Sequence, residues 1–301
     1  NPIKSDPFEF YGVKKNFEIK RLWSLDVVNV VPKWGSRVSR LSFVLSVKFY
    51  LASKKYDVLY LREHLTAGFF RNFVMEVHTL PSRIKIQDLR IWRCARKIVV
   101  ITKFLKERMI AAGIDSNKIV IAPDAVDVDL FTIDASKAEA RKKLNLPQNQ
   151  LLLGYTGSLK TNEMEKGIGT VLRALKHLPD AKFIAVGGER RHAVEYEKIA
   201  EKLEIAGRVE FRNRVELYEL ALYQRAFDVL LLPFPKTDHY AYFASPLKLF
   251  EYMASGRPIV ASDLPSLREV LNEKNSLLVA SDDPKALAQG ILKLVQDPNL
   301  G

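Results

Sequence analysis

The chain has 301 residues, with 47 Lys+Arg against 35 Asp+Glu and a formal net charge of +12. Apolar residues make up 48% and charged residues 27%, which is globular composition and excludes a disordered or fibrous chain. A single cysteine, Cys94, excludes an intrachain disulfide or a Cys-rich zinc module and fits a reducing compartment. No apolar run approaches the roughly 20 residues of a membrane-spanning helix. At roughly 150 residues per domain, two domains are expected. The excess charge is segregated: residues 1–150 hold 27 Lys+Arg against 15 Asp+Glu, whereas residues 151–301 hold 20 of each. The first half is therefore expected to face a polyanion (nucleic acid, an anionic membrane surface or a phosphorylated substrate), against the plainer reading of solubility. The chain starts without Met and without a signal-peptide pattern, so Asn1 is not expected to be the natural start.

In chain order, the first half predicts strands over 26–31, 57–61, 73–77, 97–101 and 118–121, and helices over 37–53, 84–95 and 102–112. The first helix mixes Phe43, Phe49 and Tyr50 with Arg37, Arg40, Lys48, Lys54 and Lys55, just after Trp34. Such a segment either lies on an anionic bilayer or packs as a buried helix. The second half alternates more regularly. Strands are predicted at 151–156, 182–186, 208–211, 228–232, 258–262 and 276–279. Helices are predicted over 168–178, 192–205, 216–226, from Pro246, over 264–271 and over 284–295. Short buried strands alternating with amphipathic helices mean βαβ units and a parallel sheet. Two Rossmann-like domains follow, 1–147 and 148–301, with the hinge near Leu146-Pro147.

In open α/β sheets, ligands sit beyond the carboxyl ends of the strands, and that rule selects the loops to inspect. The loop from Gly157 to Gly167 ends in Lys166-Gly167 just before a helix. Helix-terminal amides and a lysine at their mouth suit a phosphate, although the P-loop spacing is absent and a solvated lysine fits equally. The loop 233–246 leads into a helix that opens with Ser245 as the cap and Pro246 at the first helical position. An anion can dock on the amides of Leu247 and Lys248, and Glu251 one turn on can accept both hydroxyls of a ribose; alone, it reads as a surface Glu. His78 follows the strand 73–77, with Glu76 on the same side. It is a ligand-facing histidine, a capped core one or a surface one. No metal is expected, because the five histidines lack ligand spacing and no DxD-type pair sits at a strand end. Asp282-Asp283 reads as a helix cap, and Asp127 and Asp129 as turn formers after Pro123. Gly-x-Ser-x-Gly, HExxH and GxGxxG are absent, so hydrolase and dehydrogenase readings lack their minimal parts. Nucleic-acid binding would need a known module or interleaved exposed aromatics, and neither is found.

Taken together, these segments resemble the retaining glycosyltransferases of family 4. The resemblance is carried by Gly157-Ser158-Leu159 with Lys166-Gly167, by Ala185-Val186-Gly187-Gly188, by Val209-Glu210-Phe211 through Val215, and by Asp228 to Pro233. Its most specific stretch runs from Ser245-Pro246-Leu247-Lys248 through Glu251-Tyr252-Met253-Ala254-Ser255-Gly256 to Ser262. In the first half, Glu76-Val77-His78, Val99-Val100-Ile101-Thr102 and Ile121 to Asp127 take part. The resemblance implies the α/β GT-B fold, two Rossmann-like domains whose parallel sheets face a central cleft. It implies sugar transfer from a nucleotide-diphosphate sugar with retention, without metal or other cofactor, the leaving phosphate helping to deprotonate the acceptor. The donor would bind the second domain, and a glycan or lipid-linked acceptor the first. The enzyme would be cytoplasmic or peripheral on the cytoplasmic face of a membrane.

By position, Glu251 would hold the ribose and Lys166 the diphosphate, assisted by the amides around Leu247. Gly157, Ser158, Gly187 and Gly188 would line the donor loops, Arg214 and Val215 the base, and His78 the transferred sugar. Departures stand beside this. Eight residues before Glu251, where the family has an acidic residue, stands Phe243, leaving Asp238 or backbone to replace it. Ser158 takes a basic position, for which Lys160 would substitute, and Asp124-Ala125 stands where Asn-Gly is common. A first strand with its glycine-rich loop and a returning last helix have no counterpart here, and the connections near Gly68 and Pro81 are short, so segments are expected to lie outside this sequence unless the enzyme is unusually compact. These departures leave a second reading open, a degenerate GT-B protein that binds a nucleotide sugar or a partner without catalysis.

Overall fold

The computed structural model describes residues 6–8, 13–27, 34–161 and 163–297. They form two compact units, Asn1–Val100 with Lys106–Ile121, and Ile101–Leu105 with Ala122–Gly301. The break thus comes at Ile121/Ala122 and not near Leu146-Pro147. The reason is ionic and apolar at once. Arg141, only 2% exposed, and Lys137 both pair with Asp228, while Ala140 and Leu146 pack in one core with Leu152 and Phe227. The polar stretch read as a linker is therefore sewn to the second unit.

The first unit contains α1 (Gly35–Ala52), β1 (Tyr60–Leu61), α2 (His64–Ala67), β2 (Phe73–Val77), α3 (Ile86–Cys94), β3 (Ala95–Val100) and β4 (Ile119–Ile121), with α4 (Lys103–Ala111) running across the break. Its four strands are parallel in the order β1-β2-β3-β4. Alternation along β2 buries Phe73, Met75 and Val77 and turns Glu76 to the other face. The strand expected over 26–31 lies mostly outside the described residues, and its first two residues are irregular. In α1 only Gly35, Ser42 and Val44 are buried; Val38, Leu41, Phe43, Leu45 and Phe49 are exposed, as is Trp34 before them. Among the described residues no helix is long and apolar enough to cross a membrane.

The second unit opens with α5 (Val128–Phe131) and α6 (Lys137–Lys143). Then come β5 (Leu151–Thr156), the hairpin β6 (Lys160–Thr161) and β7 (Met164–Glu165), α7 (Ile168–Ala174), β8 (Ala181–Val186), α8 (Arg190–Lys202) and β9 (Val209–Arg212). It continues with α9 (Leu217–Ala226), β10 (Val229–Leu232), a π-helical turn (His239–Phe243), α10 (Leu247–Ala254), β11 (Ile259–Ser262), α11 (Pro265–Arg268), β12 (Leu277–Val279) and α12 (Pro284–Gln296). The main sheet is parallel, ordered β12-β11-β10-β5-β8-β9. Leu153, Tyr155 and Phe183 point to a core shared with α7, α8 and α12, and Leu152, Ile184 and Leu230 to one shared with α9 and α10. The hairpin β6–β7 escaped the sequence reading because each strand has two residues. The expected helix 264–271 contracts to Pro265–Arg268. Asp283 does cap α12, accepting from the N–H groups of Lys285 and Ala286.

The strand order decides where a ligand goes. From β5 the chain steps to β8 and β9 on one side, and from β10 to β11 and β12 on the other. β5 and β10 are neighbours, so their carboxyl ends flank the switch point, the place where the connections diverge and leave a crevice.

Candidate functional site

The crevice is lined by the loops after β5 and β10. Gly157, at φ +105°, donates its N–H to Val186 O at 2.7 Å, stitching the ends of β5 and β8. Gly187 donates to Arg212 O at 3.1 Å and continues the seam to β9. Gly167, at φ +84°, caps α7, and a Cβ there would lie 1.6 Å from Pro233 O. Only glycine lets α7 start against the end of β10, and this aims Lys166 at the crevice.

Lys166 Nζ donates to Ser158 Oγ at 2.8 Å. Its burial lowers the ammonium to about 8, so it stays largely charged at neutral pH. Lys248 enters from α10. Its Nζ sits 3.7 Å over the Tyr155 ring, buried, with no hydrogen-bond acceptor. Burial, then the charge of Lys166, pulls it well below the ordinary lysine value, with Glu251 opposing. Glu251, one turn along α10, accepts from Gln224 Nε2 at 2.9 Å. Burial pushes its carboxyl above the usual range, against the Gln224 bond and the charge of Lys248. Gln224 also donates to Thr156 Oγ1 at 3.1 Å, and the Thr156 N–H donates to Tyr252 Oη at 2.8 Å.

The structure thus gathers Gly157, Ser158, Lys166, Lys248 and Glu251 at one place in the second unit. Gln224 and Thr156 belong with them and were missed, since neither carries a charge or a motif. Ser245 does not cap the helix: Pro246 is the N-cap, and Ser245 Oγ accepts instead from the Asp124 N–H at 2.9 Å. Proline at the cap orders the turn through its fixed φ, which frees the serine for another segment. The first-turn amides of Leu247 and Lys248 lack intrahelical acceptors by position. Lys160 pairs with Glu195 at 2.5 Å. Arg214 is exposed and Val215 half-buried in the loop after β9, and Gly188 follows Gly187 at the end of β8. Phe243 ends the π-helical turn, its ring edge-on to Phe104 at 5.3 Å in the same unit. Asp238 opens that turn, exposed. His239 beside it is pushed down by burial and by the charge of Lys166.

His78 lies in the first unit. It bonds the Glu76 carboxylate through Nε2, and Arg62 Nη2 lies 3.0 Å from the same nitrogen. Tyr60 donates to Glu76 at 2.6 Å, and Arg62 Nε pairs with it at 3.1 Å. Burial raises the Glu76 carboxyl, but His78, Tyr60 and Arg62 together hold it below the usual range. Arg62, Glu76 and His78 line a cavity of about 520 Å³ with His64, Asp88 and Trp92. The two-residue spacing of Glu76 and His78 had announced their pairing; Tyr60 comes from β1 and Arg62 directly follows it, and neither had a local signal.

Residues 150–297 match the family described as Glycosyl transferases group 1. The chain is 30% identical over 262 residues to the D-inositol 3-phosphate glycosyltransferase of Xylanimonas cellulosilytica, covering 82% of this chain and 60% of that protein. It thus spans about 60% of that relative's length. In structure it is similar to the sucrose-phosphate synthase of Thermosynechococcus elongatus, with a TM-score of 0.72 at 22% identity, over 90% of this chain and 72% of the other. It is similar also to the Anabaena protein HepE in complex with UDP, with a TM-score of 0.69 at 20% identity, over 88% and 75% of the two chains. The fold is GT-B, and its second unit, over residues 150–297, matches the glycosyl transferases group 1 family.

Proposed function

We propose that the chain transfers a sugar from a nucleotide-diphosphate sugar to an acceptor with retained configuration, without metal or other cofactor. One observation carries this reading: Lys166, Lys248 and Glu251 converge at the carboxyl ends of β5 and β10. Two lysines and the first-turn amides of α10 suit the diphosphate, and a half-buried carboxylate one turn on suits the ribose. Charge builds on the leaving phosphate as the sugar becomes oxocarbenium-like, and fixed cations and amides stabilise it there. Gly187, Gly188, Arg214 and Val215 serve the nucleoside side. His78, oriented by Glu76, faces the transferred sugar. The relative named for an inositol phosphate and the HepE complex with UDP support a phosphorylated acceptor and a uridine donor. The basic first half supports an anionic acceptor or an anionic membrane face, on the cytoplasmic side.

The test is incubation with UDP-, GDP- and ADP-linked sugars and an inositol phosphate. Acceptor-dependent release of the nucleotide diphosphate, with the donor's anomeric configuration kept in the product by NMR, is the expected result. Absence of nucleotide binding across the panel would sink the reading. A second reading, nucleotide-sugar binding without catalysis, is favoured by Phe243 where the family's carboxylate to the sugar is expected. Binding without turnover, with that acceptor and with a lipid-linked one, would select it.

A further inference from the structure

We propose that Lys248 is a second cation for the donor's diphosphate, stored uncharged against the Tyr155 ring and protonated only as the anion arrives. This rests on the nucleotide-sugar reading and adds proton uptake to it. Lys248 Nζ is buried and has no hydrogen-bond acceptor. A buried amine without an acceptor is costly, more so if charged, and cores rarely keep one without a use. For a neutral amine the 3.7 Å ring contact is at most a weak N–H···π interaction and does not satisfy its N–H groups.

Its location gives the use. A Cβ on Gly157 would lie 3.3 Å from Lys248 Nζ, so the amine rests directly beneath the loop that closes the end of β5. The groups that face it are the Tyr155 phenol of β5, the Lys166 ammonium before α7 and the Glu251 carboxylate on its own helix. Tyr155 donates its hydroxyl to Ser158 O at 2.8 Å, and burial keeps that phenol neutral. Burial and the charge of Lys166 both disfavour a second ammonium, and Glu251 only partly offsets them. A diphosphate reverses the balance, because its negative charge sits between both lysines. The neutral amine then takes one proton from solvent and donates a hydrogen bond to a phosphate oxygen; no bond to phosphorus forms. Lys166, at about 8, is already mostly charged at pH 7 and takes up little.

The experiment is calorimetric titration of the chain with UDP-, GDP- and ADP-linked sugars, whose diphosphates have no proton left to release at pH 7, in two buffers of different ionisation enthalpy. Wild type is expected to take up about one proton per bound diphosphate. Lys248→Arg should bind with little or no uptake, since a guanidinium is charged beforehand. Lys248→Met should bind about ten- to a hundredfold more weakly. Binding by wild type with no proton uptake overturns the proposal alone and needs no variant. So does a folded Lys248→Met with unchanged affinity and uptake. If none of the three kinds of donor binds, the nucleotide-sugar reading falls and this one with it.

Discussion

Gln224 donates from Nε2 to the Glu251 carboxylate at 2.9 Å and from the same nitrogen to Thr156 Oγ1 at 3.1 Å, so one amide ties the end of β5 to the second turn of α10. The carboxylate is held in place, yet its burial makes ionisation costly in the folded protein.

Glu251→Gln follows from that cost. A carboxyl raised in the folded state loses stability as pH rises from its unfolded value of about 4.3 toward the folded one. At pH 7 the variant should melt at the same temperature as wild type or slightly higher. UDP binding should weaken about tenfold or more through the lost ribose contact. An earlier melt with unchanged binding would remove Glu251 from the site.

In the proposed site Glu76 serves by orienting His78, which it bonds. Glu76→Gln keeps the size but loses the charge that orients the imidazole and pairs with Arg62. Transfer rate should fall about ten- to a hundredfold and its pH profile should shift, while UDP binding in the second unit stays unchanged. Equal losses in binding and rate would argue for general damage.

Gly167→Ala meets a left-handed φ of +84° and the Pro233 carbonyl 1.6 Å from the new Cβ. Destabilisation of about 2 kcal/mol or more is expected, with nucleotide binding lost. Gly207→Ala is the control, because nothing lies within 4 Å of its Cβ. Urea melts of the two variants give the comparison, and similar midpoints would contradict it.

Asp228 anchors residues 122–147 to the second unit. Burial raises its carboxyl, but Lys137, the Leu152 N–H and Arg141 outweigh this and hold it below the ordinary value. A depressed carboxyl gives stability that is present above its unfolded value of about 3.9 and lost as pH falls through the folded one. Asp228→Asn leaves Arg141 buried without its charge partner and should cost about 3 kcal/mol at pH 7. The gap from wild type should close below about pH 4. A constant gap across that range would show that the charge is not what matters.

The exposed apolar side chains of α1, with Arg37, Arg40 and Lys48, suit an anionic bilayer. Co-sedimentation with vesicles containing phosphatidylglycerol should exceed that with neutral phosphatidylcholine vesicles, and should fall as salt is raised. Equal sedimentation with both would end the membrane reading.

Much of the second unit was legible in the chain. Buried parallel strands are short apolar runs, and glycine is demanded wherever a strand end turns at positive φ, so β5, β8, β10 and their loops announced themselves. The Ser245 to Ser262 stretch, the pairing of Glu76 with His78 and the capping by Asp283 were local, and local spacing suffices for them. Other features were not local. Asp228 reaches back to Lys137 and Arg141, moving the boundary that polarity alone put near Leu146. Ser245 answers to Asp124 and not to its own helix. Gln224, uncharged and without a motif, matters only because α9 lays it between Thr156 and Glu251. The sequence by itself determined which residues carry charge and where strands end. Only the tertiary structure decided which charges are buried beside one another, because burial and distance set a lysine's charge and neither is written in spacing.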